Sequence, residues 1–215
     1  MIKLDTVSFS YGNEKIISEL TAEFEADKIY CIMGPSGIGK TTLMNIISGL
    51  AKPDSGKISG TEKLKKSFIF QENRLLSHLS VYDNLRYVTD NEEKINNALT
   101  HTGLIHDKNK KITELSGGMA RRTAIARAAA FDGDIFFIDE PLYGLDTKTA
   151  EDILELIRAT VCRKTAFIIT HSAEEAFYLA DKIIFVKNKP VCNIEICDIS
   201  DFESYEEIKE KLLIE

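Results

Sequence analysis

The segment GPSGIGKT, Gly34 to Thr41, constrains the fold more than any other stretch of this sequence. It fits the pattern G-x-x-x-x-G-K-[ST] and lies between an apolar run, KIYCIMG, and a helical pattern, KTTLMNIISGL. In that setting the loop N–H groups and the helix N-terminus bind phosphate oxygens, while the lysine neutralises the β- and γ-phosphates. The predicted nucleotide contacts here are Gly34, Pro35, Ser36, Gly37, Ile38, Gly39, Lys40, Thr41 and Thr42. The alternative is a tight glycine-rich turn that holds no ligand.

Two further apolar runs, DIFFID and TAFIIT, are also followed by helical patterns. Short continuous apolar runs are typical of strands buried on both faces of a parallel sheet. The N-terminal stretches IKLDTVSFSY and IISELTAEFEA instead alternate apolar and polar residues, which indicates antiparallel strands with one covered face. We therefore predict an α/β fold of the P-loop NTPase type, with a mixed, mostly parallel sheet and an N-terminal antiparallel portion.

The middle of the chain has little strand signal. SVYDNLRYV, NEEKINNALTHTGL and GGMARRTAIARAAAF have helical patterns, with Ser80 as an N-cap and Gly103 as a stop. We predict a single domain over 1–215, in which a small α-helical subdomain, about 72–131, is inserted into a core of 1–71 and 132–215. The tail SDFESYEEIKEKLLIE predicts an acidic, amphipathic terminal helix.

Composition narrows the function classes. The net charge of −7 among 215 residues argues against general nucleic-acid binding, which usually needs a basic face. No apolar run approaches the roughly 20 residues of a membrane-spanning helix, and the N-terminus lacks a signal-peptide pattern. The four cysteines form no C-x-x-C pair, which favours reduced thiols over disulfides or zinc. We expect a cytosolic protein.

Several polar residues follow the predicted strands. Asp139 and Glu140 end IFFIDE, where a carboxylate beside a phosphate loop suits a Mg²⁺ contact and its neighbour suits the orientation of water. Away from such a loop, an Asp-Glu pair at a strand end is usually solvated surface. Gln71, His171 and Tyr11 also end strands, and each alone is more typical of packing or edge positions.

A second glycine-rich helix start lies in ELSGGMARR. Glycines in a first helical turn cost stability, but they allow an anion to approach free backbone N–H groups. The sequence thus contains two candidate phosphate cradles.

Taken in order, Tyr11, GPSGIGKT, Gln71, LSGGM, FFIDE, EPLYGLD and His171 resemble the nucleotide-binding subunits of ABC (ATP-binding cassette) transporters. The resemblance extends from residue 1 to about 190, and LSGG is its most specific motif. The stretch FQENRLLSHLSVYDNL is loosely similar to ATPases of the nitrate, sulfonate and taurine importer group.

The resemblance implies ATP hydrolysis with Mg²⁺ between two cassettes that pair head to tail. Ser116, Gly117 and Gly118 would contact the γ-phosphate of ATP held by the other subunit's phosphate loop. The remaining implied roles are adenine stacking for Tyr11, catalysis for Glu140, His171 and Gln71, and metal binding for Thr41, Gln71 and Asp139. Asp146 matches the loop that meets the partner subunit.

The implied partners are an integral-membrane permease and a second nucleotide-binding subunit, in a homodimer when ATP is bound. The implied location is the inner face of the cell membrane, and no nucleic acid is expected. Two residues depart from the family pattern: Met119 replaces the usual glutamine and Tyr143 replaces a small residue. An ABC-type ATPase that acts on DNA or ribosomes, and a scaffold with impaired hydrolysis, are the alternatives.

Overall fold

The computed structural model describes residues 1–213, and the chain divides into two compact units. The first unit contains residues 1–64 and the chain from Arg163 onward, and the second contains Lys65–Cys162. Within residues 1–213, no helix combines the length and the apolar character needed to cross a bilayer.

An antiparallel sheet opens the first unit, as the alternating pattern predicts. Strand β1 (Ile2–Tyr11) lies between β2 (Glu14–Phe24) and β4 (Ser55–Ser59). The register of β1 and β2 runs from Ile2 opposite Phe24 to Tyr11 opposite Glu14. The apolar positions of the alternation, such as Leu4, Val7 and Leu20, are buried. One covered face therefore sets the register of this hairpin.

The second sheet of the first unit is mainly parallel. Strand β3 (Ile29–Met33) pairs in parallel with β7 (Thr165–Ile169) and β8 (Lys182–Phe185), and β9 (Glu195–Asp198) adds an antiparallel edge to β8. The buried runs of β3 and β7 are confirmed as strands. The sequence patterns do not predict β8 and β9, because each has four residues and β9 is only partly buried.

Among residues 1–213, the first unit also contains three α-helices: α1 (Lys40–Ser48), α6 (Ala173–Leu179) and α7 (Tyr205–Leu213). The Ser172 hydroxyl accepts a hydrogen bond from the Glu175 N–H at 3.2 Å, so Ser172 is the N-cap of α6. The predicted terminal helix is present to Leu213, and its last two residues lie outside the described residues.

The second unit contains two parallel strands, β5 (Lys66–Ile69) and β6 (Ile135–Asp139), and four α-helices. These helices are α2 (Val81–Arg86), α3 (Glu92–His101), α4 (Gly117–Phe131) and α5 (Thr147–Val161). The predicted Ser80 cap is present, with its hydroxyl 3.0 Å from the Asp83 nitrogen. A buried cluster joins α2, α3 and α4: Val81, Leu85, Ile95, Ala98, Leu99, Leu104, Ala126 and Ala130. The separate helical subdomain at about 72–131 stays a prediction.

All four cysteines are free, which gives a labelling prediction. Cys31 is fully buried in β3, and burial raises the pKa of its thiol well above its usual range. Cys162 and Cys192 are exposed. We expect iodoacetamide at pH 8 to modify Cys162 and Cys192 in the folded protein and to reach Cys31 only after denaturation, as peptide mass spectrometry would detect. Modification of Cys31 in the native protein, at the rate of the exposed thiols, would contradict this burial.

Candidate nucleotide site

The phosphate loop in the first unit connects β3 to α1. Its glycines differ in why a side chain would not fit in their place. Gly34 has φ 151°, and a Cβ there would lie 2.2 Å from the Val186 carbonyl oxygen. A Cβ at Gly39, where φ is 119°, would lie 3.0 Å from the Ile16 side chain. Any side chain at Gly34 would therefore displace backbone, whereas Gly37 (φ 73°) has open space around it.

Lys40 organises this loop from within. Its side chain is 6% exposed, and Nζ donates hydrogen bonds to the carbonyl oxygens of Gly34 at 2.8 Å and Pro35 at 2.9 Å. The loop is thus wrapped around a cation. The first turn of α1 carries no acidic residue, so the positive end of the helix dipole is not offset there. Thr41 is exposed in the same turn. Cation, hydroxyl and helix N-terminus together form a cradle for phosphate.

His171 belongs to the surroundings of this loop. It follows β7 and is exposed, and it lines a cavity of about 210 Å³ together with Gly34 and Pro35. The remaining lining residues are Met33, Thr170 and Leu212. The structure therefore brings together two predicted site elements that are more than a hundred residues apart in the sequence.

Tyr11 lies at the end of β1, where the β1–β2 hairpin turns. Its side chain is 55% exposed, and its ring packs edge-on against Phe9 with centroids 4.8 Å apart. The ring is therefore held by a neighbour while much of it stays accessible, an arrangement that suits stacking on a planar base.

In the second unit, Gln71 and Glu140 meet. Both follow the carboxyl ends of the parallel strands β5 and β6, and the Gln71 Nε2 donates a hydrogen bond to the Glu140 Oε2 at 3.1 Å. Glu140 has φ 43°, a left-handed conformation that is costly for a residue other than glycine. Asp139 is the last residue of β6 and is half-buried. An outlying backbone angle at a predicted catalytic carboxylate is consistent with a functional constraint.

The second glycine-rich segment begins α4 as predicted. Ser116 is the N-cap, and its hydroxyl accepts a hydrogen bond from the Met119 N–H at 3.3 Å. A Cβ at Gly118 would lie 2.9 Å from the Thr149 Cγ2, so packing within the unit explains that glycine. Gly117 is exposed, its φ is not positive, and a Cβ there would meet no atom within 4 Å. Nothing within the second unit explains Gly117.

The two departures from the family pattern have different surroundings. Met119 is partly buried and packs against the helical cluster of the second unit. Its thioether therefore replaces a polar group with apolar packing. Tyr143 is 73% exposed. Asp146, three residues later, caps α5 by accepting a hydrogen bond from the Thr149 N–H at 3.1 Å, and its hydrogen bonds with Thr149 lower the pKa of its carboxyl.

A buried cation, Arg121, is not predicted from the sequence. Its side chain lies in the second unit and is hydrogen-bonded to both the Gln71 segment and the Glu140 segment. No local pattern signals this burial, because Arg121 stands beside a second arginine, Arg122, and arginines on a helix are mostly exposed. Burial of a charge is rare unless the charge is paired or hydrogen-bonded.

Comparisons with known proteins agree with this geometry. The family model described as "ABC transporter" matches residues 17–143. The chain is 34% identical to the thiamine import ATP-binding protein ThiQ of Mesorhizobium japonicum, with 88% of this chain and 82% of that protein covered. It is also 34% identical to the taurine import ATP-binding protein TauB of Roseobacter denitrificans, with 81% and 71% covered.

Solved structures give the same result. A bacterial ABC transporter cassette solved as a dimer has a TM-score of 0.79 and 29% identity, with 93% of this chain and 99% of that chain covered. A dimeric post-hydrolysis state of an ATP-binding cassette, bound to ADP and Pi, has a TM-score of 0.76 and 27% identity over the same shares. The P-loop NTPase fold is confirmed. This chain belongs to the ABC transporter family, in which it is an ATP-binding subunit that hydrolyses ATP.

Proposed function

We propose that this ATPase works as a head-to-tail homodimer with two shared ATP sites and drives import through a separate permease. The observation that carries the proposal is the start of α4, where Gly117 is exposed and has no packing reason to be glycine. A glycine there leaves room for an anion at the helix N-terminus. The phosphate loop already supplies one phosphate-binding site in each chain. The start of α4 would therefore bind the phosphate of a nucleotide held by another copy.

In each shared site, the phosphate loop from Gly34 to Thr42 would hold the phosphates of its own ATP. Lys40 would neutralise the β- and γ-phosphates, and Tyr11 would stack on adenine. His171 would contact the γ-phosphate, which its position beside Gly34 and Pro35 supports. The Ser116 hydroxyl and the N–H groups of Gly117 and Gly118 would come from the other copy.

Hydrolysis would depend on Glu140 and Gln71. The Glu140 carboxylate would accept a hydrogen bond from the attacking water and orient it for in-line attack, while Gln71 holds the carboxylate in place. Mg²⁺ fits the chemistry of the predicted donors, because the Thr41 hydroxyl, the Asp139 carboxylate and the Gln71 amide all offer hard oxygen atoms. The bound ion would offset the phosphate charge.

The import direction is supported by the two curated relatives, both of which are import ATP-binding proteins. The ATP-binding subunits of such systems work with membrane permeases, so we place this chain on the cytoplasmic face of the cell membrane, bound to a permease. The net charge of −7 gives no support to nucleic acid as a partner.

The shared-site model is tested by mixing two inactive variants. Lys40→Ala damages the phosphate loop and Ser116→Ala damages the start of α4, so each homodimer has two defective sites. A mixed dimer has one site with both defects and one with neither. We expect the mixture to recover ATPase activity well above that of either parent, measured as phosphate release.

A second mixture is the matched control. Lys40→Ala and Glu140→Gln both damage the half-site that belongs to the same chain, so no arrangement of the two chains yields an intact site. Recovery with Ser116→Ala but not with Glu140→Gln would support the model. Equal behaviour of the two mixtures, with or without recovery, would refute it.

A further inference from the structure

Arg121 lies on α4, one helical turn after Gly117. Arg121 is 4% exposed, so its charged guanidinium is buried within the second unit. Burial lowers the pKa of Arg121 to about 10, and the nearby Asp139 carboxylate opposes this shift. The guanidinium is therefore still a cation at neutral pH, and its N–H donors need acceptors nearby.

Those acceptors come from two segments. From the first, Nη1 reaches the Phe70 carbonyl at 2.5 Å and the Asn73 Oδ1 at 3.2 Å. From the second, Nε reaches the Pro141 carbonyl at 2.6 Å and Nη2 reaches the Glu140 carbonyl at 3.3 Å. The rigid fork of the guanidinium thus fixes the backbone on both sides of the Gln71–Glu140 hydrogen bond.

The bond to the Glu140 carbonyl has a particular consequence. Glu140 has φ 43°, and residues in such conformations persist only where their surroundings hold them. Arg121 binds the carbonyls of Glu140 and of the next residue, Pro141. It therefore holds the two peptide groups that follow Glu140, and so the direction in which its carboxylate leaves the backbone.

We propose that Arg121 is a positioning residue that couples the start of α4 to the Gln71–Glu140 pair. This inference rests on the proposed function, in which the start of α4 serves the ATP of the other copy and the pair serves the chain's own ATP. A displacement of α4 when the other copy's nucleotide binds is then transmitted through one rigid side chain to the groups that orient water. Each chain joins the two ATP sites of the dimer through Arg121.

Arg127 offers a matched control on the same helix. Its guanidinium is also partly buried, and it donates hydrogen bonds to the Arg74 carbonyl at 2.8 Å and the Asn73 carbonyl at 3.2 Å. Arg127 thus holds the loop that follows Gln71, and its contacts are with that loop rather than with the Glu140 segment. Replacing it tests the cost of losing a buried arginine on α4.

The first experiment compares Arg121→Lys with Arg127→Lys. Lysine keeps the charge but cannot reach both segments, because its donors radiate from one atom. We expect Arg121→Lys to lower kcat about 10- to 100-fold, the scale of loss for a misplaced catalytic group. The KM for ATP should stay within about threefold, because the phosphate loop is intact. Arg127→Lys should lower the melting temperature by a similar amount and keep its turnover. Equal turnover in the two variants would overturn the proposal.

The second experiment separates coupling from a local role. In the mixture of Lys40→Ala and Ser116→Ala chains, the single intact site takes its phosphate loop and Glu140 from the Ser116→Ala chain and its α4 start from the Lys40→Ala chain. Arg121→Lys is added to one chain or the other. Coupling links both ends of Arg121's contacts, so it predicts that either placement lowers phosphate release: one chain supplies Glu140 to the intact site, and the other supplies the α4 start. If only one placement lowers phosphate release, Arg121 supports its own surroundings alone, and the coupling is overturned.

The same experiment distinguishes the two proposals. If the mixture without Arg121→Lys shows no recovered activity, the shared site itself fails. If that mixture is active and neither placement lowers its activity, the shared site stands and the role of Arg121 fails. Phosphate release and the melting temperature are recorded for every mixture, so that loss of folding is recognised separately.

Discussion

Replacing Glu140 with glutamine is expected to reduce ATP turnover by about 10²- to 10⁴-fold, the range associated with loss of a general base. Glutamine has nearly the same shape, and it can still accept a hydrogen bond from Gln71 through its amide oxygen. It lacks the negative charge needed to orient and polarise water. ATP binding does not use this charge, so the affinity for ATP should change little, as fluorescent-nucleotide titration would measure.

The same variant should accumulate as an ATP-bound dimer. If hydrolysis reopens the dimer, blocking hydrolysis shifts the population towards the closed state. Size-exclusion chromatography with light scattering, with and without ATP, would measure the fraction of the variant that is dimeric. Glu72→Gln serves as the control, because Glu72 is an exposed carboxylate next to Gln71 to which we assign no role. Normal turnover by Glu140→Gln would remove Glu140 from the mechanism.

Replacing Gly117 with alanine should have opposite effects on stability and activity. The φ at Gly117 is not positive, and its Cβ would meet no atom within 4 Å, so alanine fits the folded chain. Alanine in a helix is favoured over glycine by roughly 0.5–1 kcal/mol, so the melting temperature should rise. The added methyl group would occupy the space through which phosphate approaches the helix start. We therefore expect ATPase activity to fall about 10-fold or more. For comparison, removal of one oxyanion-hole donor lowers kcat by about 10²- to 10³-fold.

Gly118→Ala provides the comparison for this prediction. Its Cβ would lie 2.9 Å from the Thr149 Cγ2, so this variant should lose stability as well as activity. Thermal unfolding and phosphate release, measured on both variants, separate the two glycines. A Gly117→Ala protein that is more stable and fully active would show that no anion approaches this helix start.

Local patterns account for much of what the sequence predicted. The bounds of α4 follow from Ser116 and the alanine-rich run after it, because a capping serine and good helix formers act over a few residues. The phosphate loop follows from its glycine spacing in the same way. By contrast, β9 is a short, partly exposed edge strand, and its position depends on pairing with β8 rather than on its own residues.

Other features of the site depend on contacts between residues that are distant in the sequence. The burial of Arg121 depends on two segments that are about 20 and 50 residues away, and no local pattern reveals it. Gly117 and Gly118 are neighbouring glycines that no sequence pattern distinguishes. In the structure, a Cβ at Gly118 would meet Thr149, whereas a Cβ at Gly117 would meet open space. The placement of His171 beside the phosphate loop likewise arises from the parallel pairing of β3 with β7.

The hydrogen bonds of Lys40 bear on the kinetics of nucleotide capture. Its ammonium group cross-links the carbonyls of Gly34 and Pro35, so hydrogen bonds within the chain itself fix the positions of these two carbonyls. The phosphate loop then loses little backbone entropy when ATP binds, because its backbone is ordered when the chain folds. Association with ATP should therefore be governed by diffusional encounter and ionic strength, and not by a slow step in which the loop assembles.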